Sequence, residues 1–263
     1  MATMSKIVLA SLASAACLFT SSMALAESVV ALIGDDSIAV IDTATKKTGL
    51  PVKITGISGK VLGIDVRPAD GMLYALISDG AVVTVDPKSG KAAMKSKLDM
   101  MLAAGVQATV DFNPVADRMR IIGSDGANLR ANVDDGKVTK DGALKFADTD
   151  NQKGKTAKVV AGAYTNSMKG AKETVLYDID ASGMLLKQAP PNDGVLNTVG
   201  AHGISGEVVA FDIAADAAGV NSAWVLAGSK IYKIDLATGK GTEAMAITDM
   251  KGVARDIAVL PAM

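Results

Sequence analysis

Four aspartates, Asp65, Asp111, Asp212 and Asp256, recur in apolar runs of one kind: 61–68, 108–114, 207–213 and 253–259. In a related run, 159–166, Tyr164 takes the same place. Two residues on, hence on the same face of an extended strand, stand Arg67, Asn113 and Asn166. If these runs line a common channel, the four carboxylates and neighbouring amide oxygens could hold a hard cation such as Ca²⁺ through oxygen ligands. Alternatively Arg67 could anchor an anionic group of a polar ligand. A plainer role is favoured by the repetition itself: a buried Asp in each unit accepts backbone N–H groups of an adjoining unit and fixes the two together.

A second group with chemistry lies in the third repeat. Arg118 and Arg120 alternate onto one face and Arg130 follows nearby, and paired guanidinium groups could grip a carboxylate or phosphate bidentately. Pairing with Asp111, Asp117 or Asp193 is preferred, because intramolecular acids are abundant. Pro190-Pro191-Asn192-Asp193-Gly194 reads as a rigid turn, with Asn192 and Asp193 as turn formers or rim ligands.

Catalytic signatures are otherwise missing. The chain has no G-x-S-x-G elbow, phosphate-binding loop, dinucleotide fingerprint or H-E-x-x-H helix. Its single histidine, His202, lies between glycines and reads as a solvated or turn residue. The segment 148–151 (Asp-Thr-Asp-Asn) resembles a calcium loop but lacks the glycine and closing glutamate, so it reads as a solvated polar loop. Apart from Met1 and Met4 at the start of the expected signal, the 13 methionines show no M-x-x-M spacing, and so no cluster of the kind that suggests copper.

The elements that must position these residues repeat along the chain. Short alternating runs end in Asp and a glycine turn at Asp42, Asp86, Asp134, Asp180 and Asp235, advancing by 44, 48, 46 and 55 residues. That period is the size of a four-stranded propeller blade. Hairpin strands at 72–77, 119–122 and 223–227 precede three of these runs, and upstream lie the runs 61–68, 108–114, 159–166 and 207–213, which become the inner strands. Residues 29–33 open with a second-strand type and 253–259 close with a lone inner strand. Together they make one blade sewn from both ends, which removes the open edge. The expectation is an all-β fold: a single β-propeller of five four-stranded blades, closed by the C-terminal strand on the N-terminal blade. A six-bladed ring, if 140–165 or 186–206 hides strands, and a β-sandwich are the alternatives.

Address and partners follow from composition. Lys6, an apolar stretch over 7–19 and Ala24-Leu25-Ala26 form a secretory signal over 1–26, cleaved after Ala26, leaving 27–263 as the propeller. The apolar stretch is shorter than the roughly 20 residues that span a bilayer, and no later segment is long and apolar enough. Cys17 would leave with the signal, so no disulfide or Cys-held metal is expected. With 27 basic against 28 acidic side chains and no basic cluster, nucleic acid is excluded as a partner. Nine aromatic residues disfavour a sugar-stacking lectin.

In combination, Asp65-Val66-Arg67-Pro68, Val110-Asp111-Phe112-Asn113-Pro114, Asn128-Leu129-Arg130, Ala163-Tyr164-Thr165-Asn166-Ser167, and Gln188 with 190–194 resemble the motif series of a bacterial exported domain family of unknown function. The resemblance covers nearly the whole chain after residue 26. It implies a propeller-like fold and an exported address, and implies no reaction. The expected function is a non-catalytic exported propeller, monomeric, in the periplasm or secreted, binding an unknown small ligand or an envelope protein. No cofactor is implied beyond a possible Ca²⁺. The alternatives are a metal-dependent hydrolase of lactonase type, with a central-channel cation and an inner-strand Asp as base, and a purely structural or adhesive domain.

Overall fold

The computed structural model describes residues 28–261; the expected signal, 1–26, lies outside them. Five antiparallel sheets form a ring, and their inner strands pack side by side around a central axis. The inner strands are Ala254–Leu260 (blade one), Val61–Val66 (two), Ala108–Asn113 (three), Val159–Tyr164 (four) and Val208–Ala215 (five). Blade one is closed as expected: Ala254–Leu260 pairs antiparallel with Ser28–Ile33, Val30 opposite Ala258, joining the two ends of the chain. Backbone donors on the first strand are thereby paired on both edges.

The stretches suspected of hiding a sixth blade enlarge blade four instead. Lys145–Phe146 adds a fifth, parallel strand beside Val195–Ala201, and Met184–Gln188 is the blade's third strand. This corrects the repeat at one point. Leu176–Asp180 pairs with the inner strand, so it is a second strand and Asp180 is not equivalent to the other turn aspartates. Asp180 instead braces the hairpin ahead of it, accepting the N–H groups of Ser182 and Lys158.

At the true repeat positions one geometry recurs. Asp42, Asp86 and Asp235 each accept the N–H groups two and three residues on through Oδ1, and the carbonyl takes the N–H four residues on. That fourth residue has positive φ: Gly90 at 69°, Gly239 at 81° and, in blade one, Lys46 at 61°. In blade three the turn starts from Asn132, with Gly136 at 77°, which leaves Asp134 free for another task. The local code is thus a side-chain acceptor followed by a left-handed position.

Alternation along each inner strand sends residues to opposite seams. Ile64 and Val66 pack toward blade one, in a cluster with Val30, Leu32 and Ala258. Val110 and Phe112 pack toward blade two, against Tyr74, Leu76 and Val82. The aspartates occupy the intervening positions and therefore turn toward the following blade.

Candidate site in the central channel

The inner-strand aspartates converge as the sequence suggests. One carboxylate oxygen from each of Asp65, Asp111 and Asp212 lies within 4.8 Å of the others, and all three residues are buried. Asp256 is also buried, and its charge is felt at Asp65 and Asp111.

Each carboxylate reaches the next inner strand. Asp256 Oδ2 accepts Ile64 N–H at 2.8 Å, Asp65 Oδ2 accepts Phe112 N–H at 2.6 Å, Asp111 Oδ1 accepts Tyr164 N–H at 3.0 Å and Asp212 Oδ2 accepts Val259 N–H at 2.6 Å. In three of them the other oxygen accepts the N–H of the following residue: Val66, Ile213 and Ile257. The bonds stitch blade one to two, two to three, three to four and five to one.

Burial and mutual repulsion act against their charge. Burial raises the pKa of Asp65 well above the usual carboxylate range, reinforced by Asp212, and that of Asp111 likewise, reinforced by Asp65. Burial pushes Asp256 up to about 8, against the lowering effect of the N–H bonds from Ile64 and Ile257.

Tyr164 does not occupy the fifth Asp place. It lies on the face of blade four that meets blade three, packs with Ile122 and Leu176, and its hydroxyl accepts Arg120 Nε–H at 3.1 Å. Ala163 turns toward blade five, in a cluster with Phe211 and Ile213. A one-residue difference in register flips the side chain.

The other predicted residues lie away from the aspartate cluster, engaged within the chain. Arg67 binds Asp117 through Nε and Nη2 at 2.8 and 2.6 Å, and Asp134 through Nη1 and Nη2 at 3.1 and 2.8 Å. It also reaches the Tyr74 hydroxyl and Asp70. The Arg67 guanidinium holds the Asp134 carboxyl well below its usual range. Asn113 Oδ1 caps its own turn through the N–H groups of Val115 and Ala116. Asn166 exchanges hydrogen bonds with Asn221 of blade five.

The expected arginine clamp is divided. Arg118 folds onto the carbonyls of Ala116 and Asp117, whereas Arg120 and Arg130 both bind Asp141, at 2.6 Å each. The acid they share is therefore none of the three anticipated. Arg120 also donates to Asn128 and to Asn192 Oδ1. Asp193 ends the short 3-10 turn Pro191–Asp193, against whose backbone Gly142 packs. His202 is buried rather than solvated: its Nδ1 accepts Ile204 N–H, and burial lowers its pKa. Asp150 braces Thr198 through its backbone and hydroxyl, so its carboxylate works as a loop strut.

Sequence reasoning missed Asp70, Asp134, Asp141, Asn221 and Asp178. Asp141 precedes a glycine and looks like any turn acid. Asp178 left one signal: an aspartate among Leu176 and Ile179, on the strand beside Gly162 of an inner strand, where a glycine marks close approach.

A family model described as "Domain of unknown function (DUF4394)" matches residues 37–258. No curated protein is similar to the chain. Among solved structures, a protein of unknown function from Bacteroides thetaiotaomicron is similar at a TM-score of 0.52 and 12% identity, over 92% of this chain and 68% of that one; this likeness concerns the fold alone. A protein of unknown function from Bacteroides caccae aligns at a TM-score of 0.43 and 15% identity, over 87% of this chain and 76% of that one.

Proposed function

The chain belongs to the DUF4394 family of domains of unknown function, and from that premise we propose that it is exported, cleaved after Ala26, and works in the periplasm or outside the cell as a monomeric, non-catalytic propeller that binds a small ligand or an envelope protein. The observation that carries this reading is where the polar groups point. The channel carboxylates accept backbone N–H groups, and Arg67, Arg120 and Arg130 bind acids of the same chain. Recognition then falls to the loops. Met72, Val115 and Val220 are exposed in the loops that follow the inner strands of blades two, three and five, hence at one mouth of the ring. Exposed apolar side chains at one mouth offer contact points for a partner. The test is retention of an envelope component by the exported chain, and its loss in the triple variant Met72→Lys, Val115→Lys, Val220→Lys at unchanged melting temperature. Equal retention by both overturns the reading.

One observation favours a second reading, a metal-dependent hydrolase of lactonase type. Oxygens within 4.8 Å of one another suit Ca²⁺, whose oxygen ligands lie at about 2.3–2.6 Å, so that opposed ligands stand about 5 Å apart. Asp65, Asp111 and Asp212 would hold the ion, which would offset their repulsion and polarise a bound carbonyl. Three carboxylates fall short of the about six to eight oxygens Ca²⁺ takes. Elemental analysis decides: stoichiometric metal and lactone turnover, both lost in Asp111→Asn, establish the hydrolase. Metal-free protein whose melting temperature ignores chelator removes it.

A further inference from the structure

Asp178 stands apart from the channel carboxylates. It sits opposite Gly162 on the second strand of blade four, fully buried, and neither carboxyl oxygen has a hydrogen-bond partner among the described residues. Its carboxyl lies over the glycine: a Cβ at 162 would fall 2.5 Å from Oδ1. The backbone at Gly162 donates its N–H across the seam to Thr109 Oγ1 of blade three, so the acid is sealed where two blades meet.

The surrounding charged and titratable groups are committed elsewhere. From blade three, Arg120 is the cation that reaches Asp178 electrostatically, but its Nε, Nη1 and Nη2 donate to Tyr164, Asn128, Asp141 and Asn192. Asp111 faces Tyr164 N–H, and Arg130 faces Asp141. Within blade four, Tyr164 is bound to Arg120 and Asp180 to Lys158 and Ser182. Gln188, on the neighbouring strand, donates to the Pro191 carbonyl, and its Oε1 also lacks a partner. An ionised carboxylate at 178 would be buried with no hydrogen-bond donor among the described residues.

We propose that Asp178 is the neutral acid in the folded protein, so that folding binds a proton and the seam between blades three and four weakens as pH rises. Burial pushes its pKa up to about 8, with Arg120 acting in the opposite direction. The unfolded chain releases this proton near about 3.9. Between those values the native state holds a proton that the unfolded state lacks, so this group raises the unfolding constant about tenfold per pH unit. Below the window both states are protonated, and above it both are ionised and the effect is level.

The experiment is denaturant unfolding of the exported chain and of Asp178→Asn, whose side chain matches the neutral acid in shape, from pH 5 to 9. The other raised carboxyls are common to both proteins and cancel in the ratio of unfolding constants. That ratio, wild type over variant, is expected to grow about 50-fold between pH 6 and 8 and to level by about pH 9 near 100-fold. A ratio independent of pH overturns the proposal. If the variant does not fold, the ¹³C shift of the Asp178 carboxyl in the wild-type chain decides: a protonated-type shift at pH 6.5 supports the proposal, and an ionised one overturns it.

Discussion

Blade four presents two different chemistries on the two faces of one sheet. Toward blade five its buried core is hydrocarbon, with the Asn166–Asn221 pair beside it: Ala161, Ala163, Ile179 and Leu185 pack with Val208, Phe211, Ile213 and Val225 in one buried cluster. Toward blade three the apolar cluster shrinks to Ile122, Val159, Tyr164 and Leu176 with Leu144. Arg120, Asn128, Asp141, Asn192 and the unpartnered Asp178 occupy the rest. The seam to blade five also has no inner-strand aspartate, since Ala163 stands where the other blades carry one. Ring closure therefore does not require the carboxylate stitch. Apolar burial holds a seam without demanding atomic register, whereas a buried ionic network adds little net stability and strongly penalises any misalignment that strands one of its members.

Removing one member of each seam sharpens this contrast. Arg120→Ala strands groups on both sides of its seam: the Tyr164 hydroxyl, Asn128, Asn192 and half of the partners of buried Asp141. Breaking a buried ionic network in this way costs about 3–5 kcal/mol, read as a loss of denaturant midpoint at unchanged slope. Ile213→Ala on the apolar side leaves a cavity and nothing uncompensated, and should cost about 3 kcal/mol. The separation comes with repacking. Arg120→Met should lose nearly as much as Ala because its partners remain stranded, whereas Ile213→Val should lose only about 1 kcal/mol. An Arg120→Met variant as stable as wild type would break the contrast.

The fold was largely legible because its evidence was periodic. Asp86 to Gly90 and Asp235 to Gly239 carry their own turn chemistry, and the unpaired runs at 29–33 and 253–259 imply one another. The legible part of the site was the set that repeats, Asp65, Asp111, Asp212 and Asp256. Legibility failed where blade four departs from the period: an aspartate at the end of its second strand made Asp180 look like a repeat position, and a one-residue difference in register made Tyr164 look like an aspartate substitute. Partners across a seam were also invisible. Nothing local to Arg120 selects Asp141 over Asp111 or Asp117, because that choice is made by how two blades face one another in space.

The smallest expected effect tests whether the carboxylate stitch matters at all. Asp65 ties blade two to blade three, taking Phe112 N–H on one oxygen and Val66 N–H on the other, each at 2.6 Å. In Asp65→Asn one oxygen becomes an amide that opposes an N–H donor, a loss of about 1 kcal/mol. The same change removes repulsion from Asp212 and Asp256. Near pH 4, where the wild-type carboxyl is largely neutral in both states, the lost hydrogen bond dominates and the variant should lie about 1 kcal/mol below wild type, a shift of about 2–4 °C in melting temperature at most. Its sign should depend on pH. The Asp65 pKa is raised on folding, so the wild type loses stability as pH climbs from the unfolded value toward the folded one, while the variant does not. Asp65→Asn should therefore compare best at alkaline pH and worst in mild acid, as measured by paired melts. A loss of several kcal/mol at pH 7, abolished when both proteins are stripped by chelator, would instead identify Asp65 as a cation ligand. The seams that carry the aspartates would then depend on an ion, and the hydrocarbon seam between blades four and five would be the one that closes without it.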